Sequence, residues 1–436
     1  MKKCYNTSVP DNRTALISEG FVYQGGFMHI PDEVKTIIGK LEENGHSAYI
    51  VGGCVRDMLL GLDPKDFDVC TSVRPETVLE LFPNSIPTGL KHGTVTVVVN
   101  GMHVEVTTYR IESEYTDHRH PDRVVFSDSL SEDLKRRDFT INAMAYHPVK
   151  GIMDPFGGME DLENRIIRTV GSPEERFGED ALRMLRAIRF QACYGFSIDK
   201  HTFSAITAFS ENIGVISRER ILEELNRILT ASYPEAFNNL IKTRLLNHIL
   251  PVPFSEAADL TQLIKLSEEL PVRWSGLFRL TGIHDIDDIR TTCSGLKMSN
   301  KLKNEIIRIS ILLNGQLPKS PFMIRKTLSD AGTDTFIRAL GIMKNLRLDI
   351  TGLPETEEAV SRILSEKPCL SLKELAINGR DLIQAGFKPG TQLGTVLDIL
   401  FICVLQNPAL NRKDILMQFA GIIRQQSGSM QEKSRS

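Results

Sequence analysis

The chain predicts an α/β domain near its N-terminal end followed by an all-helical remainder. Three observations carry that reading. Between Ala48 and Tyr109, short β-branched runs alternate with helix-forming segments. The dipeptide Asn100-Gly101 separates two of those runs, the strongest short-range hairpin signal. Beyond Asp154-Pro155-Phe156-Gly157-Gly158, nearly every segment is amphipathic with helical spacing and short breaks.

A chain of 436 residues is too long for one ordinary core, so several domains are expected. The 41% apolar and 25% charged content is that of a soluble globular protein. Seven cysteines, scattered from Cys4 to Cys403 without a Cys-x-x-Cys pair, argue against a disulfide framework and a zinc site. The longest apolar run, Val396 to Leu405, is broken by Asp398 and too short for a bilayer. The N-terminus lacks the apolar core of a signal peptide, and a cytoplasmic protein with no membrane partner is expected.

Residues 1–27 show no periodicity and read as a poorly ordered extension. Met28 directly precedes the first convincing helix, Pro31 to Asn44, and is the expected physiological start, which intact mass of the native protein would test. Next come a strand (Ala48–Val51), a helix (Val55–Leu60), a strand (Phe67–Thr71) and a helix opened by proline (Pro75–Phe82). Strands Thr94–Val99 and Met102–Tyr109 flank the Asn-Gly turn. If Val99 faces Met102, then Glu105 faces Thr96, and Val104 and Val106 turn to the opposite face. Ile111 to Val124, polar and carrying Tyr115 and Pro121, reads as a mobile loop able to gate a site.

The chemistry centres on Asp66-Phe67-Asp68-Val69. On a strand, Asp66 and Asp68 share a face while Phe67 points into apolar packing. Two adjacent carboxylates repel unless a divalent cation lies between them, and hard oxygen ligands suit Mg²⁺ carried by nucleotide phosphates. Upstream, Gly52 and Gly53 let backbone N–H groups approach a phosphate at the start of a helix, with Arg56 one turn on. No Gly-Lys-Ser/Thr follows, so this is not a Walker A loop, and there is no Gly-x-Gly-x-x-Gly.

Arg136-Arg137-Asp138-Phe139-Thr140-Ile141-Asn142 follows, with two cations and an acid at an element boundary fit for triphosphate and ribose. The segment Glu179 to Phe190 reads as one helix. On it Asp180, Arg183, Arg186 and Arg189 recur every three residues as a winding stripe about 13 Å long. One carboxylate heading three guanidiniums suits a polyanion plus one exocyclic amine. Amphipathic helices continue through Arg220–Thr230 and Thr395–Leu405, and Gln425 to Ser436 is polar enough to be disordered. Arg290 to Ile350 carries eleven Lys/Arg against four Asp/Glu; Lys297, Lys301, Lys303, Arg308, Lys319, Arg325 and Lys326 crowd its first half, a candidate nucleic-acid patch. His284-Asp285 lacks the further histidine and aspartate of a metal phosphohydrolase.

In their order, these segments resemble the class II nucleotidyltransferases, and within them the bacterial CCA-adding enzymes. The resemblance rests on Gly-Gly-Cys-Val-Arg-Asp from Gly52, Lys65-Asp-Phe-Asp-Val, His92-Gly-Thr-Val, Val104-Glu-Val-Thr-Thr-Tyr-Arg and Arg136-Arg-Asp-Phe-Thr-Ile-Asn-Ala. It continues through Glu179-Asp-Ala-Leu-Arg-Met-Leu-Arg and Arg220-Ile-Leu-Glu-Glu-Leu to Lys388-Pro-Gly-Thr-Gln-Leu-Gly, from Met28 to Ile422. It implies an α/β nucleotidyltransferase head with a small mixed five-stranded sheet (28–154), then an all-α neck that reads the base (155–232), body (233–320) and tRNA-binding tail (321–424), with 425–436 disordered.

By the same resemblance Asp66 and Asp68 bind metal, Mg²⁺, with Glu105 as third carboxylate. Gly53, Arg56 and Arg137 contact the nucleotide, and Asp138 and Asn142 lie near its ribose. Asp180 and Arg183 read the base edge, while Arg186 and Arg189 hold phosphates. The implied activity is template-independent addition of CCA to the 3′ end of tRNA from CTP and ATP, with the acceptor/T arm as partner surface. Oligomeric state is left open, a homodimer being one option. The alternatives are an A-adding enzyme and a bacterial poly(A) polymerase, the latter disfavoured by His92-Gly-Thr. A CC-adding form is disfavoured by the intact 115–121 loop, and an inactive RNA-binding protein by the intact acids.

Overall fold

Helix α1 (Asp32–Glu43) opens the described part of this computed structural model, which comprises residues 28–113 and 123–433. The expected extension 1–27, with the proposed start that depends on it, and the loop bearing Tyr115 and Pro121 lie outside those residues. Val34, Ile37, Ile38 and Leu41 recur at helical spacing on α1 and are buried on one face. The chain then lays down β1 (Ala48–Val51), α2 (Gly53–Leu59), β2 (Asp68–Thr71) and α3 (Pro75–Leu81). Strands β3 (Ile86–Gly89), β4 (Thr94–Val99) and β5 (Met102–Thr108) follow.

Asn100 and Gly101 both adopt left-handed φ (49° and 83°), as a two-residue primed turn demands. The hairpin therefore closes in the expected register, Val99 opposite Met102 and Thr96 opposite Glu105. Val95, Val97, Val104 and Val106 are fully buried on the inner face.

The segment expected to be a mobile loop is in part ordered strand. β6 (Arg110–Ser113) and β7 (Arg123–Phe126) pair antiparallel, because Ile111 on one side and Val124, Val125 and Phe126 on the other favour extended backbone. After α4 (Leu130–Lys135), strands β8 (Ala145–His147) and β9 (Gly151–Met153) complete the sheet.

The sheet has seven strands in the order β3-β4-β5-β2-β1-β8-β9, not five. It is mixed as expected, with β2 and β5 parallel and the other neighbours antiparallel. The edges hide from sequence reasoning for a physical reason. β3 reads Ile-Pro-Thr-Gly, and proline is tolerated within a sheet at an edge, where its missing N–H costs no ladder bond. β9 is three residues long and begins with a glycine at φ 77°.

Helices follow. The elements that matter for the site are α5 (Gly158–Glu163), the short strands β10 (Ile166–Ile167) and β11 (Ser197–Ile198), α6 (Pro173–Glu179), α7 (Leu182–Tyr194), α8 (Lys200–Ala208) and α9 (Arg218–Leu229). The chain divides into two compact units. The first runs to Ile264 and takes in Leu280–Gly282 and Thr291–Met298. The second comprises Lys265–Arg279, Ile283–Arg290 and the chain from Ser299 onward.

The second unit is helical. Trp274 and Phe278 are buried in it, and Leu382, Leu400, Val404 and Leu416 form a core near its end. Its last helix spans Lys413–Lys433, so the segment expected to be disordered from Gln425 continues as helix. A helix already nucleated on a packed stretch propagates through good helix formers such as Gln, Met and Glu at little cost. No helix among the described residues is long and apolar enough to cross a membrane.

Candidate active site

β1 ends at Val51 and the chain turns at Gly52 (φ 81°) directly into α2. A Cβ on Gly52 would stand 2.8 Å from Nη1 of Arg137 and 3.7 Å from Oδ2 of Asp68. Glycine is required here by the left-handed backbone, and its lack of a side chain lets the Arg137 guanidinium lie against the turn. Asp68 lies opposite Val51 on one side and Glu105 on the other, so the acids of two parallel strands stand side by side. β2 begins at Asp68, and Asp66 sits in the bend before it rather than on the strand, while Phe67 is buried as expected.

Burial, the neighbouring Glu105 and the nearby Asp66 push the Asp68 carboxyl up to about 6, against the opposing pull of Arg137. Three hard oxygen donors that repel one another fit a divalent cation. Among the described residues, no three such side chains already converge on one point.

Behind the glycine turn, the buried Arg56 is fully engaged. It donates Nη1 to Asn142 Oδ1 (2.5 Å), Nε and Nη2 to Asp57 Oδ1 (3.0 and 2.7 Å), and Nη2 to the Tyr194 hydroxyl (2.6 Å). Its guanidinium also stacks over the Tyr194 and Phe190 rings, 4.6 and 5.2 Å from their centroids.

Asp138 is buried and accepts from Asn142 Nδ2 (3.0 Å) and Arg186 Nε (2.7 Å). Burial alone would raise its pKa. The charge of Arg186, with the hydrogen bonds from Asn142 and Arg186, outweighs that and holds it far below the usual carboxylate range. Arg137 is anchored by Asp133 Oδ2 (3.4 Å), a fully buried carboxylate whose Oδ1 also takes Nε and Nη2 of Arg136 (3.0 and 2.9 Å).

The predicted single helix from Glu179 to Phe190 is two helices. α6 stops at Glu179, Asp180 is extended (φ −140°, ψ 102°), and α7 starts at Leu182. The cause is the aspartate itself: its Oδ1 accepts the Leu182 N–H at 3.0 Å, a local bond that competes with helix continuation. Arg220, from α9, grips both Asp180 oxygens (2.8 and 3.4 Å). Arg183 donates Nη1 to Glu179 Oε2 (2.5 Å) and the Arg176 carbonyl (3.1 Å), and Nη2 to the Arg136 carbonyl (3.0 Å). Arg189 binds Glu224 at 2.6 Å and lies over Phe190, 4.2 Å from the ring centroid.

These residues wall one cleft of about 440 Å³. All the predicted site residues except Asp66 and Glu105 line it, joined by Gly52, Arg136, Phe190 and Arg220. Seven arginines against three aspartates make it a receptor for a polyanion. Asp133 stands at helical spacing from Arg136 and Arg137, a sequence signal for the pairing the structure shows. Nothing in linear spacing links Arg220 to Asp180, forty residues away.

The basic excess between Arg290 and Ile350 is partly spent inside the protein. Lys297 pairs with Glu219, Lys326 with Asp330, and Arg325 is buried against the Leu405 and Gln406 carbonyls that end a helix. Lys301, Arg308 and Lys319 are exposed. Asp285 accepts the backbone N–H groups of Asp287 and Asp288 (2.8 and 3.0 Å), so it caps a helix.

Residues 48–168 match the family model "Poly A polymerase head domain" and residues 195–255 the model "Probable RNA and SrmB- binding site of polymerase A". Residues 267–420 match the second-domain model of tRNA nucleotidyltransferases. A CCA-adding enzyme of Ligilactobacillus salivarius is 38% identical over 404 residues, 90% of this chain and 97% of its own length. That of Geobacillus kaustophilus is 39% identical over 388 residues, 87% of this chain and 93% of its own. The chain belongs to the CCA-adding enzymes.

A crystal structure of the Bacillus stearothermophilus CCA-adding enzyme in complex with CTP superposes with a TM-score of 0.74 at 33% identity, covering 92% of this chain and 98% of that one. Class II nucleotidyltransferases such as the CCA-adding enzymes generally use divalent metal ions, which accords with the acids gathered at Asp68.

Proposed function

We infer that the protein extends the 3′ end of tRNA by C, C and A, using CTP and ATP without a nucleic-acid template, and that the arginine-walled cleft is where the nucleotide is selected and held. One observation carries this: a single cleft gathers the glycine turn, Asp68, Arg137 and the pair Asp180 and Arg183. A phosphate-binding end and a base-reading end therefore share one site.

Asp66, Asp68 and Glu105 would hold Mg²⁺, which when bound neutralises phosphate charge and lowers the pKa of the attacking hydroxyl. The Gly52–Gly53 backbone, with Arg137 beside it, cradles the triphosphate. Arg186 and Arg189 add positive charge along it, and Arg56, Asp138 and Asn142 form the wall against which the ribose rests. Cytosine and adenine each present an amino donor beside a ring acceptor; a carboxylate at Asp180 and a guanidinium at Arg183 satisfy both. Uracil and guanine would set a carbonyl against the carboxylate. An unpaired polar group there costs about 1–3 kcal/mol, enough for roughly 10–100-fold rejection.

We assign residues 28–154 as the catalytic head, 155–232 as a base-reading neck, 233–320 as a body and 321–424 as a tail meeting the acceptor and T arms. A cytoplasmic location follows from a tRNA substrate. The test incubates the protein with tRNAs ending before, within and after CCA, Mg²⁺ and α-labelled CTP or ATP. Growth stopping after three nucleotides is expected. Long A tails would identify a poly(A) polymerase, a lone A on ends already carrying CC would identify an A-adding enzyme, and no incorporation would sink the reading.

A further inference from the structure

The cleft reaches the acids at Asp68 alone; Asp66 and Glu105 do not line it. Its walls come from the glycine turn after β1, the 136–142 segment and the helices; among the strands β2 alone contributes, through Asp68, and no residue of β3, β4 or β5 lines it. In nucleotidyl transfer the attacking oxygen approaches phosphorus opposite the departing pyrophosphate. If the cleft takes the triphosphate, as the reading above requires, the RNA end must arrive from the far side of Asp68. That side is the outer face of β5, β4 and β3.

On that face Glu105 on β5 and Ile86 and Thr88 on the edge strand are exposed, while Thr96 between them is buried. A straight row crosses it, Asp68 to Glu105 to Thr96 to Ile86. Beneath it the same strands bury Val69, Val95, Val97, Val104 and Val106, so nothing but one side is available. Beyond Glu105 the row is neutral and hydroxyl-bearing, with Thr88 and Thr96 sharing a hydrogen bond at 2.9 Å. Ile86, on the edge strand, is 46% exposed, an unusual position for a large apolar side chain beside polar neighbours. The turn that follows β3 carries exposed Lys91 and His92.

We propose that this face is the platform for the last nucleotides of the RNA being extended. Ile86 takes the face of a base near the 3′ end, the exposed Thr88 hydroxyl, held in place by the buried Thr96, meets an oxygen of the sugar–phosphate chain, and Lys91 meets the next phosphate. Threonine hydroxyls donate and accept without adding charge, so they hold RNA beside three acids without competing for the cation. A base stacked on an apolar side chain is held whatever its identity, as required of a surface that receives tRNAs with different ends.

The experiment measures steady-state incorporation with tRNA ending before CCA, varying tRNA and CTP separately, for Thr88→Val, Thr88→Ser and Ile86→Ala, with melting curves as the fold control. Thr88→Val and Ile86→Ala are expected to raise KM for tRNA roughly 3–10-fold each. KM for CTP and the CTP/UTP preference stay unchanged, and Thr88→Ser, which keeps the hydroxyl, stays near wild type. Unchanged KM for tRNA, or an equal rise in both KM values, would overturn the proposal. Wild-type protein that incorporates nothing would instead count against the transfer reading itself.

Discussion

Arg220 donates to both carboxylate oxygens of Asp180, at 2.8 and 3.4 Å, from a helix forty residues further along the chain. Arg183, expected to act with Asp180 on one helical stripe, is bound instead to Glu179 and to two backbone carbonyls. The carboxylate proposed to read the base is therefore oriented by α9, and the guanidinium proposed to act with it by α6 and the Arg136 carbonyl. Each is held by partners that are not themselves proposed to read the base.

That arrangement predicts strong coupling between Arg220 and Asp180. Arg220→Ala should lower kcat/KM for CTP and relax CTP/UTP discrimination, although Arg220 is not itself the reader. In a double-mutant cycle with Asp180→Ala the effects should fall short of additive by about 1–3 kcal/mol. Fully additive losses in kcat/KM would show that Arg220 acts independently.

The Asp68 carboxyl gives a pH signature to the metal-free protein. Its folded pKa of about 6 lies above that of an unfolded aspartate, near 3.9. Between those values the folded chain keeps a proton the unfolded chain has released, so this group's contribution to stability falls as pH rises through the window. In the presence of EDTA, Asp68→Asn should melt roughly 2 °C above wild type at pH 7.5, a small shift because the carboxylate, though partly desolvated by its neighbours, lines the cleft and keeps contact with solvent, and the difference should be nearly gone at pH 4. Equal differences at both pH values would refute the assignment. Divalent-ion affinity should likewise weaken below pH 6, as the cation must displace that proton.

What the sequence made legible, and what it hid, follows from the range of each interaction. The hairpin register was readable because Asn100-Gly101 fixes it within two residues, and it placed Glu105 opposite Thr96; the parallel pairing of β2 with β5 that sets Glu105 beside Asp68 joins distant segments and left no local signal. The cleft residues were readable as short motifs. The break at Asp180 was not, since the spacing of three arginines imitates an unbroken helix while one side-chain bond to Leu182 ends it. Edge strands β3 and β9 were hidden by the proline and glycines that make them look like turns. Partners across long sequence separations, such as Tyr194 on Arg56 and Arg220 on Asp180, leave no local pattern.

Asp133 shows how far a buried partner reaches. Its fully buried carboxylate holds Arg136 and Arg137 together and also accepts the Arg110 backbone N–H at 3.4 Å. Asp133→Asn keeps the shape and removes the charge, leaving two guanidiniums less than one-fifth exposed without their counterion. Loss of about 2–4 kcal/mol in urea unfolding is expected. Incorporation should fall further than stability alone explains at temperatures where the variant is folded, because Arg137 loses its anchor beside the phosphate turn. Wild-type KM for CTP in a folded Asp133→Asn protein would remove that positioning role.

The exposed cations of the second unit divide by whether an acid already claims them. Lys301 and Arg308 lie on the outer face of helix Asn300–Asn314, while Lys326 is bound to Asp330 at 2.7 Å. A polyanion gains its salt-dependent affinity by releasing counterions from phosphates that meet unpaired charge. Replacing Lys301 and Arg308 together by alanine should therefore reduce the slope of log affinity for tRNA against log salt by about 1–2. Replacing Lys326 should change it little, since its charge is already balanced within one helical turn. Filter binding across a series of KCl concentrations distinguishes the two, and an equal change from both substitutions would show that local pairing does not decide which cations meet the RNA.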